Sequence, residues 1–174
     1  MSYNVLSANY ATAGQYPYCP SWAIDWEYRR RGILEELRHY TPSVICLQEI
    51  DADQYETVFE PELAKINYEG VFLPKSRYRT IEYPLSRKVD GCAIFWQKDK
   101  FVKVNDFKRE YSVTSTSVCK DHCPVLLDRL MVRDNVAIGI ILETKKTGRS
   151  ASTSYDRDGH PRFSVVINAE MLNE

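Results

Sequence analysis

Val44-Ile45-Cys46-Leu47-Gln48-Glu49 is the stretch in which residue types and spacing point most directly to chemistry. Four apolar residues in succession predict a strand buried on both faces. That strand runs straight into a carboxylate, and a charge at the end of a buried strand is costly unless something compensates it. A metal ion at the mouth of the sheet would do so, and the carboxyl ends of strands are where open α/β sheets place their ligands. The plain alternative is that Glu49 is the first solvated residue after the strand. It stays open at this level, because most glutamates are solvated.

Other candidate chemistry is thinner. Cys119-Lys120-Asp121-His122-Cys123 has a C-x-x-H-C spacing, but no second ligand pair follows, and a structural zinc site takes four ligands. A catalytic Cys–His pair there would need a geometry that loop neighbours seldom have. His39 falls at the end of a predicted helix and suits the helix dipole. His160 sits in a polar loop without a visible partner. Pro74-Lys75-Ser76-Arg77-Tyr78-Arg79 interleaves cations with an aromatic residue, and reads equally as a solvated loop or as one that faces phosphates. The chain has no G-x-S-x-G, P-loop or G-x-G-x-x-G.

The elements that must position Glu49 follow from periodicity. Tyr3 to Ser7 alternates weakly and predicts a first strand, followed by a loop from Ala8 to Pro20. Asp25 is a plausible N-cap for a helix that starts at Trp26. Its apolar face is Trp26, Ile33, Leu37 and Tyr40, opposite Arg29, Glu35, Glu36 and Arg38. Pro42 stops that helix at Thr41. Strand, helix, strand with short connections is the rhythm of an α/β protein. A second helix is expected over Asp53–Ile66, broken or restarted near Pro61. Further strands are expected at Gly70–Leu73, Val89–Trp96, Phe101–Tyr111 (alternation broken around Asn105), Asn135–Thr144 and Phe163–Ala169, with a polar stretch over Gly148–Arg162.

With 174 residues, 44% hydrophobic and 27% charged, the chain has the composition of one soluble globular domain. The formal net charge of -1 supplies no bulk positive field for nucleic acid, though a local basic patch could still serve. No apolar run approaches a transmembrane span, and the N-terminus lacks the features of a signal peptide. Five irregularly spaced cysteines, two of them (Cys46, Cys92) inside apolar runs, suit a reducing compartment. The expected location is the cytoplasm, with the nucleus as a second compartment, and no membrane partner is expected.

Tyr3-Asn4-Val5-Leu6, Tyr18-Cys19-Pro20-Ser21-Trp22-Ala23, Trp26-Glu27-Tyr28-Arg29 and Leu47-Gln48-Glu49 occur in that order. Pro74-Lys75-Ser76-Arg77, Val89 to Phe95, Arg129-Leu130-Met131 and Asp134-Asn135 continue the series. Together they resemble the nuclease domain of the carbon-catabolite-repressor-type poly(A) deadenylases, the catalytic subunits of the Ccr-Not complex. Tyr-Cys-Pro-Ser-Trp marks that branch, whereas Leu-Gln-Glu marks only the endonuclease/exonuclease/phosphatase superfamily. The resemblance implies an α/β fold, the N-terminal part of a four-layer sandwich with two sheets face to face and helices outside. It implies a magnesium-dependent 3′ exoribonuclease that shortens poly(A) and releases AMP, with poly(A) RNA and Ccr-Not subunits as partners. Carried over residue by residue, Glu49 becomes the carboxylate that binds Mg2+ and Asn4 the amide at the mouth of the first strand. Lys75, Arg77 and Asn168 become candidates on the RNA side.

The chain also departs from that family. Asn168-Ala169 is followed by Glu170 where the family has a histidine that contacts the scissile phosphate, and a carboxylate there would repel the phosphate unless a metal intervened. The family's later acid–base residues would lie past Glu174, and its leucine-rich docking repeats before Met1. Residues 1–174 are therefore expected to be a partial domain without its C-terminal half, exposing the inner face of a sheet, poorly stable and nearly inactive alone. Two other readings stand beside the deadenylase. One is a non-catalytic module that binds RNA or protein. The other is a nocturnin-like phosphatase acting on a nicotinamide dinucleotide phosphate, which the Tyr18–Trp22 segment opposes.

Overall fold

The structure is a computed structural model that describes residues 1–114, 134–145 and 162–169. The Val44 run forms strand β2 (Val44–Asp51) beside β1 (Ser2–Asn4), β3 (Tyr68–Pro74) and β4 (Asp90–Gln97). These four strands make one mixed sheet in the order β1-β2-β4-β3, in which β1 runs parallel to β2 and the other pairs are antiparallel. The first helical segments are α1 (Ser21–Ile24) and α2 (Trp26–Tyr40). Asp25 caps α2 as expected, its carboxylate accepting from the Tyr28 N–H at 3.1 Å. Thr41 ends the helix in a left-handed conformation, its N–H bonded to the Leu37 carbonyl. The second helical region runs as α3 (Ala52–Gln54), a π-turn (Tyr55–Phe59) and α4 (Glu60–Ala64). Pro61 has no N–H to donate back to Thr57, so the ladder slips upstream of it and the Glu60 N–H reaches Tyr55 instead.

A second, antiparallel sheet holds β5 (Phe101–Glu110), β6 (Val136–Thr144) and β7 (Phe163–Ala169) in that order. The broken alternation around Asn105 is a register shift between Lys103 and Asn105 against β6. β4 separates the two cores by the period of a strand. Ala93 and Phe95 face the helices with Ile45, Leu47, Leu34, Leu37 and Phe59. Cys92, Ile94 and Trp96 face the second sheet, meeting Ile138, Ile140 and Leu142. Both Trp96 and Ile94 are essentially sealed from solvent, and a side chain of that size contributes about 1.5–3 kcal/mol when fully buried.

That second core corrects one expectation. The inner face of the first sheet is covered by β6 and β7 rather than exposed. The second sheet does carry exposed apolar side chains, among them Phe163, Val165 and Ile167 on β7 and Val102 and Val104 on β5. Among the described residues the helices pack on the first sheet, so three of the four expected layers are present. The first strand is shorter than expected, because Leu6 adopts a left-handed φ of 54° just beyond it. β4 enters the sheet through Gly91, where a β-carbon would lie 2.1 Å from the Leu73 carbonyl oxygen, so β3 and β4 approach closely only with glycine there. No helix is long and apolar enough to cross a membrane among the described residues. The Cys119–Cys123 segment, His160 and Glu170 lie outside the described residues.

Candidate metal centre

β2 does not simply end at Glu49. Leu47 pairs with Ala93 and Ile50 with Gly91, so Gln48 and Glu49 together stand opposite Cys92 alone. This is a β-bulge, and bulges re-aim side chains. Glu49 sits in it with φ 57°, a left-handed conformation that costs a non-glycine residue about 1–3 kcal/mol and that recurs at functional sites. The bulge brings the carboxylate to Asn4 at the end of β1, whose Nδ2 donates to Glu49 Oε1 at 2.7 Å. The Asn4 side-chain oxygen Oδ1 is occupied in turn, accepting the Leu6 N–H at 2.8 Å. The Asn4 side chain is thereby oriented, with its N–H face toward the glutamate.

The second carboxylate oxygen decides what the site can do. Glu49 Oε2 is buried and has no hydrogen-bond partner. An unpaired, buried, charged oxygen is expensive to keep. A hard cation would satisfy it. Magnesium takes oxygen ligands, often from only one or two protein carboxylates, and leaves its other positions to water and phosphate. Glu49 Oε2 fits that ion, and Asn4, a neutral amide, steadies the carboxylate without competing for charge. Among the described residues no three His, Cys, Asp or Glu side chains gather around one point.

Two further acidic residues border the bulge. Asp51 is buried, accepts the Ser7 hydroxyl at 2.5 Å, and has its pKa pushed up to about 6, mainly by burial and secondarily by Asp53 and Asp90 acting against the Ser7 bond. Asp90 is 1% exposed and holds the basic segment: Lys75 Nζ lies 2.7 Å from its Oδ2, while Arg77 Nη2 at 2.5 Å and the Tyr10 hydroxyl at 2.8 Å donate to its Oδ1. Arg77 also pairs with Asp134 at 2.7 Å, and Arg79 with Glu110 at 2.7 Å.

This placement changes the reading of the basic segment. Lys75, itself 8% exposed, and Arg77 are tied to carboxylates of their own chain rather than turned out as a phosphate-facing loop. Asn168 is likewise bonded within its own chain. It is buried, donates both Nδ2 hydrogens to the Leu47 and Ala93 carbonyls at 2.8 and 2.9 Å, and accepts Gln48 Nε2 at 2.6 Å. It bridges the two sheets next to the bulge, so it supports Glu49 through Gln48. Of the residues singled out from the sequence, the structure brings Asn4 and Glu49 together and places Lys75, Arg77 and Asn168 in structural contacts. Tyr10, Asp51 and Asp90 were not legible as site-bordering residues, since each is joined to the site by pairing across long sequence separations.

The endonuclease/exonuclease/phosphatase family profile matches residues 1–157. The chain is 41% identical over 177 aligned positions to the CCR4-Not complex 3′-5′-exoribonuclease subunit Ccr4 of Schizosaccharomyces pombe, covering 99% of this chain and 26% of that protein. Among solved structures, ANGEL2, a 2′,3′-cyclic phosphatase, superposes with TM-score 0.69 at 25% identity, covering 98% of this chain and 40% of that one. The human nocturnin catalytic domain superposes with TM-score 0.63 at 26% identity, covering 99% of this chain and 48% of that one. The chain thus spans 26–31% of the length of the curated relatives it matches. The resemblance read from Tyr18–Trp22 and Leu47–Glu49 agrees with the Ccr4 relative, and the two face-to-face sheets agree with the solved folds. This chain belongs to the endonuclease/exonuclease/phosphatase family.

Proposed function

We propose that this chain carries the magnesium-binding side of a poly(A)-specific 3′ exoribonuclease of the Ccr4 type, working within a Ccr-Not-like assembly. One observation carries the reading: the bulged Glu49 presents a buried, unpartnered carboxylate oxygen at the carboxyl end of β2, steadied by Asn4. Magnesium bound there would stabilise charge on the attacked phosphate and orient the hydrolytic water. Glu49 supplies the ligand charge. Asn4 holds its carboxylate in place from the end of β1, and the bulge and the Asn168 bridge fix the end of β2 that carries Glu49.

The test is a chimera in which this chain replaces the matching segment of the S. pombe Ccr4 exoribonuclease. The expected outcome is magnesium-dependent shortening of an RNA with a poly(A) 3′ end and little attack on a non-A end. Glu49→Gln should lower the rate by on the order of a hundred- to a thousandfold, the range for one group that stabilises transition-state charge. A folded chimera that releases phosphate from a nicotinamide dinucleotide phosphate or opens a 2′,3′-cyclic phosphate, and leaves poly(A) intact, would move the assignment to the phosphatase branch. The 174-residue chain by itself should show little turnover, since Glu49 is the one ligand for the metal that this reading assigns among its described residues, and a single carboxylate holds magnesium weakly. Robust poly(A) shortening by that chain alone would contradict this part.

A further inference from the structure

Asn4 can steady Glu49 only if its own amide is held, and the residues that hold it are main-chain groups in an unusual conformation. The chain leaves β1 through Val5, whose N–H bonds to the Gln48 carbonyl at 3.0 Å. It then turns at Leu6, which has φ 54° and donates its N–H to Asn4 Oδ1 at 2.8 Å. A left-handed leucine persists only where its surroundings over-determine it. The side chain that does so is Arg29. Its Nη1 donates to the Val5 carbonyl and to the Leu6 carbonyl, both at 2.8 Å, and its Nε donates to the Ile24 carbonyl at 3.1 Å. The guanidinium carbon lies 5.0 Å from the Trp26 ring centre, one helical turn earlier on α2, so the arginine is itself fixed against an aromatic face.

We propose that Arg29 is a positioning residue for the metal centre. It clamps the Val5 and Leu6 carbonyls, so that the Leu6 N–H holds Asn4 and Asn4 holds Glu49 Oε1. The chain of bonds runs from α2 through the turn after β1 to the bulge in β2, and each link is a short hydrogen bond. Its consequence for metal affinity rests on the reading of Glu49 as the magnesium ligand. The clamp itself does not. Outer residues that orient a ligand typically influence affinity by 10- to 100-fold.

The experiment uses the 174-residue chain and Arg29→Lys, Arg29→Met, Asn4→Ala and the Arg29→Met/Asn4→Ala double variant. The first readout is metal-free. Hydrogen exchange at the Leu6 amide and the resonances of the Asn4 side-chain amide report the clamp directly. Both arginine variants should speed Leu6 exchange by about tenfold or more and shift the Asn4 amide, and lysine should not rescue, because its single ammonium cannot replace both the Nε bond to Ile24 that fixes the side chain and the Nη1 bonds to Val5 and Leu6. The second readout is Mn2+ affinity by electron paramagnetic resonance. Arg29→Met and Asn4→Ala should each weaken it by about tenfold, and the double variant by no more than Asn4→Ala alone, since both act on one path. Should Arg29→Met fail to fold, Arg29→Lys, which keeps the charge and stem, carries both readouts. Wild-type exchange at Leu6 in the arginine variants would overturn the proposal, as would losses that add in the double variant. Failure of every variant and of the wild type to bind Mn2+ would refute the metal reading while the exchange data still decide the clamp.

Discussion

Asp90→Asn is expected to destabilise the fold by about 3–5 kcal/mol, read as a lowered midpoint in urea unfolding. Asp90 is almost wholly buried and is the shared counter-ion of Lys75 and Arg77, with the Tyr10 hydroxyl as a third contact. A buried ion pair adds little net stability over an apolar substitute, because desolvation offsets the attraction. Removing one partner is another matter, since the carboxylate that compensated two half-buried or buried cations is gone. The segment from Lys75 to Arg79 and the loop around Tyr10 should loosen together, because both are tied to this one carboxylate. Asp90→Asn/Lys75→Met should recover much of the loss, as a methionine of similar length needs no counter-charge. A loss below about 1 kcal/mol in the single variant, the range of a surface pair, would contradict the buried assignment.

The second large effect is a pH dependence carried by Asp51. Its folded pKa of about 6 stands above the ordinary carboxylate value near 3.9. Between those values the folded chain holds a proton at Asp51 that the unfolded chain has released. This contribution is fully present below about pH 4 and is lost as pH rises through about 6. The shift of about two units corresponds to roughly 3 kcal/mol. Asp51→Asn keeps an oxygen acceptor for the Ser7 hydroxyl and never ionises. With chelator present, the variant should therefore be about 2–3 kcal/mol more stable than wild type at pH 7.5, with the gap closing by pH 4. The comparison cancels the titration of other carboxylates common to both. A gap that does not change with pH would show that Asp51 is not the group responsible.

Much of the scaffold was legible. The apolar run at Val44 announced β2, Asp25 and Pro42 bracketed α2, and the interruption at Asn105 marked the bulge in β5. These are local signals of periodicity and capping. The left-handed backbone at Leu6 and Glu49 was not legible, because neither position carries the glycine or asparagine that usually signals it. The Lys75–Arg79 segment read as solvated or phosphate-facing, since its counter-ions Asp90, Asp134 and Glu110 lie up to dozens of residues away in sequence. The contacts of Asn168 with the Leu47 and Ala93 carbonyls and with Gln48 on the other sheet were not legible for the same reason. Arg29 falls on the predicted polar face of α2. Its spacing of three from Trp26, which brings the two onto one side of the helix, was the available hint of its clamp.

The most direct measurement is a thermal melt of the wild-type chain and of Glu49→Gln, each with and without magnesium at matched ionic strength. Glutamine keeps the oxygen that Asn4 bonds but replaces the unpartnered carboxylate oxygen with a neutral group that cannot serve the cation. If Glu49 Oε2 is the magnesium ligand, magnesium at about ten times its dissociation constant adds about 1.4 kcal/mol to the wild type, raising its Tm by roughly 3–6 °C, and leaves Glu49→Gln unmoved. Equal shifts in the two proteins, or none in the wild type, would contradict a metal centre at Glu49.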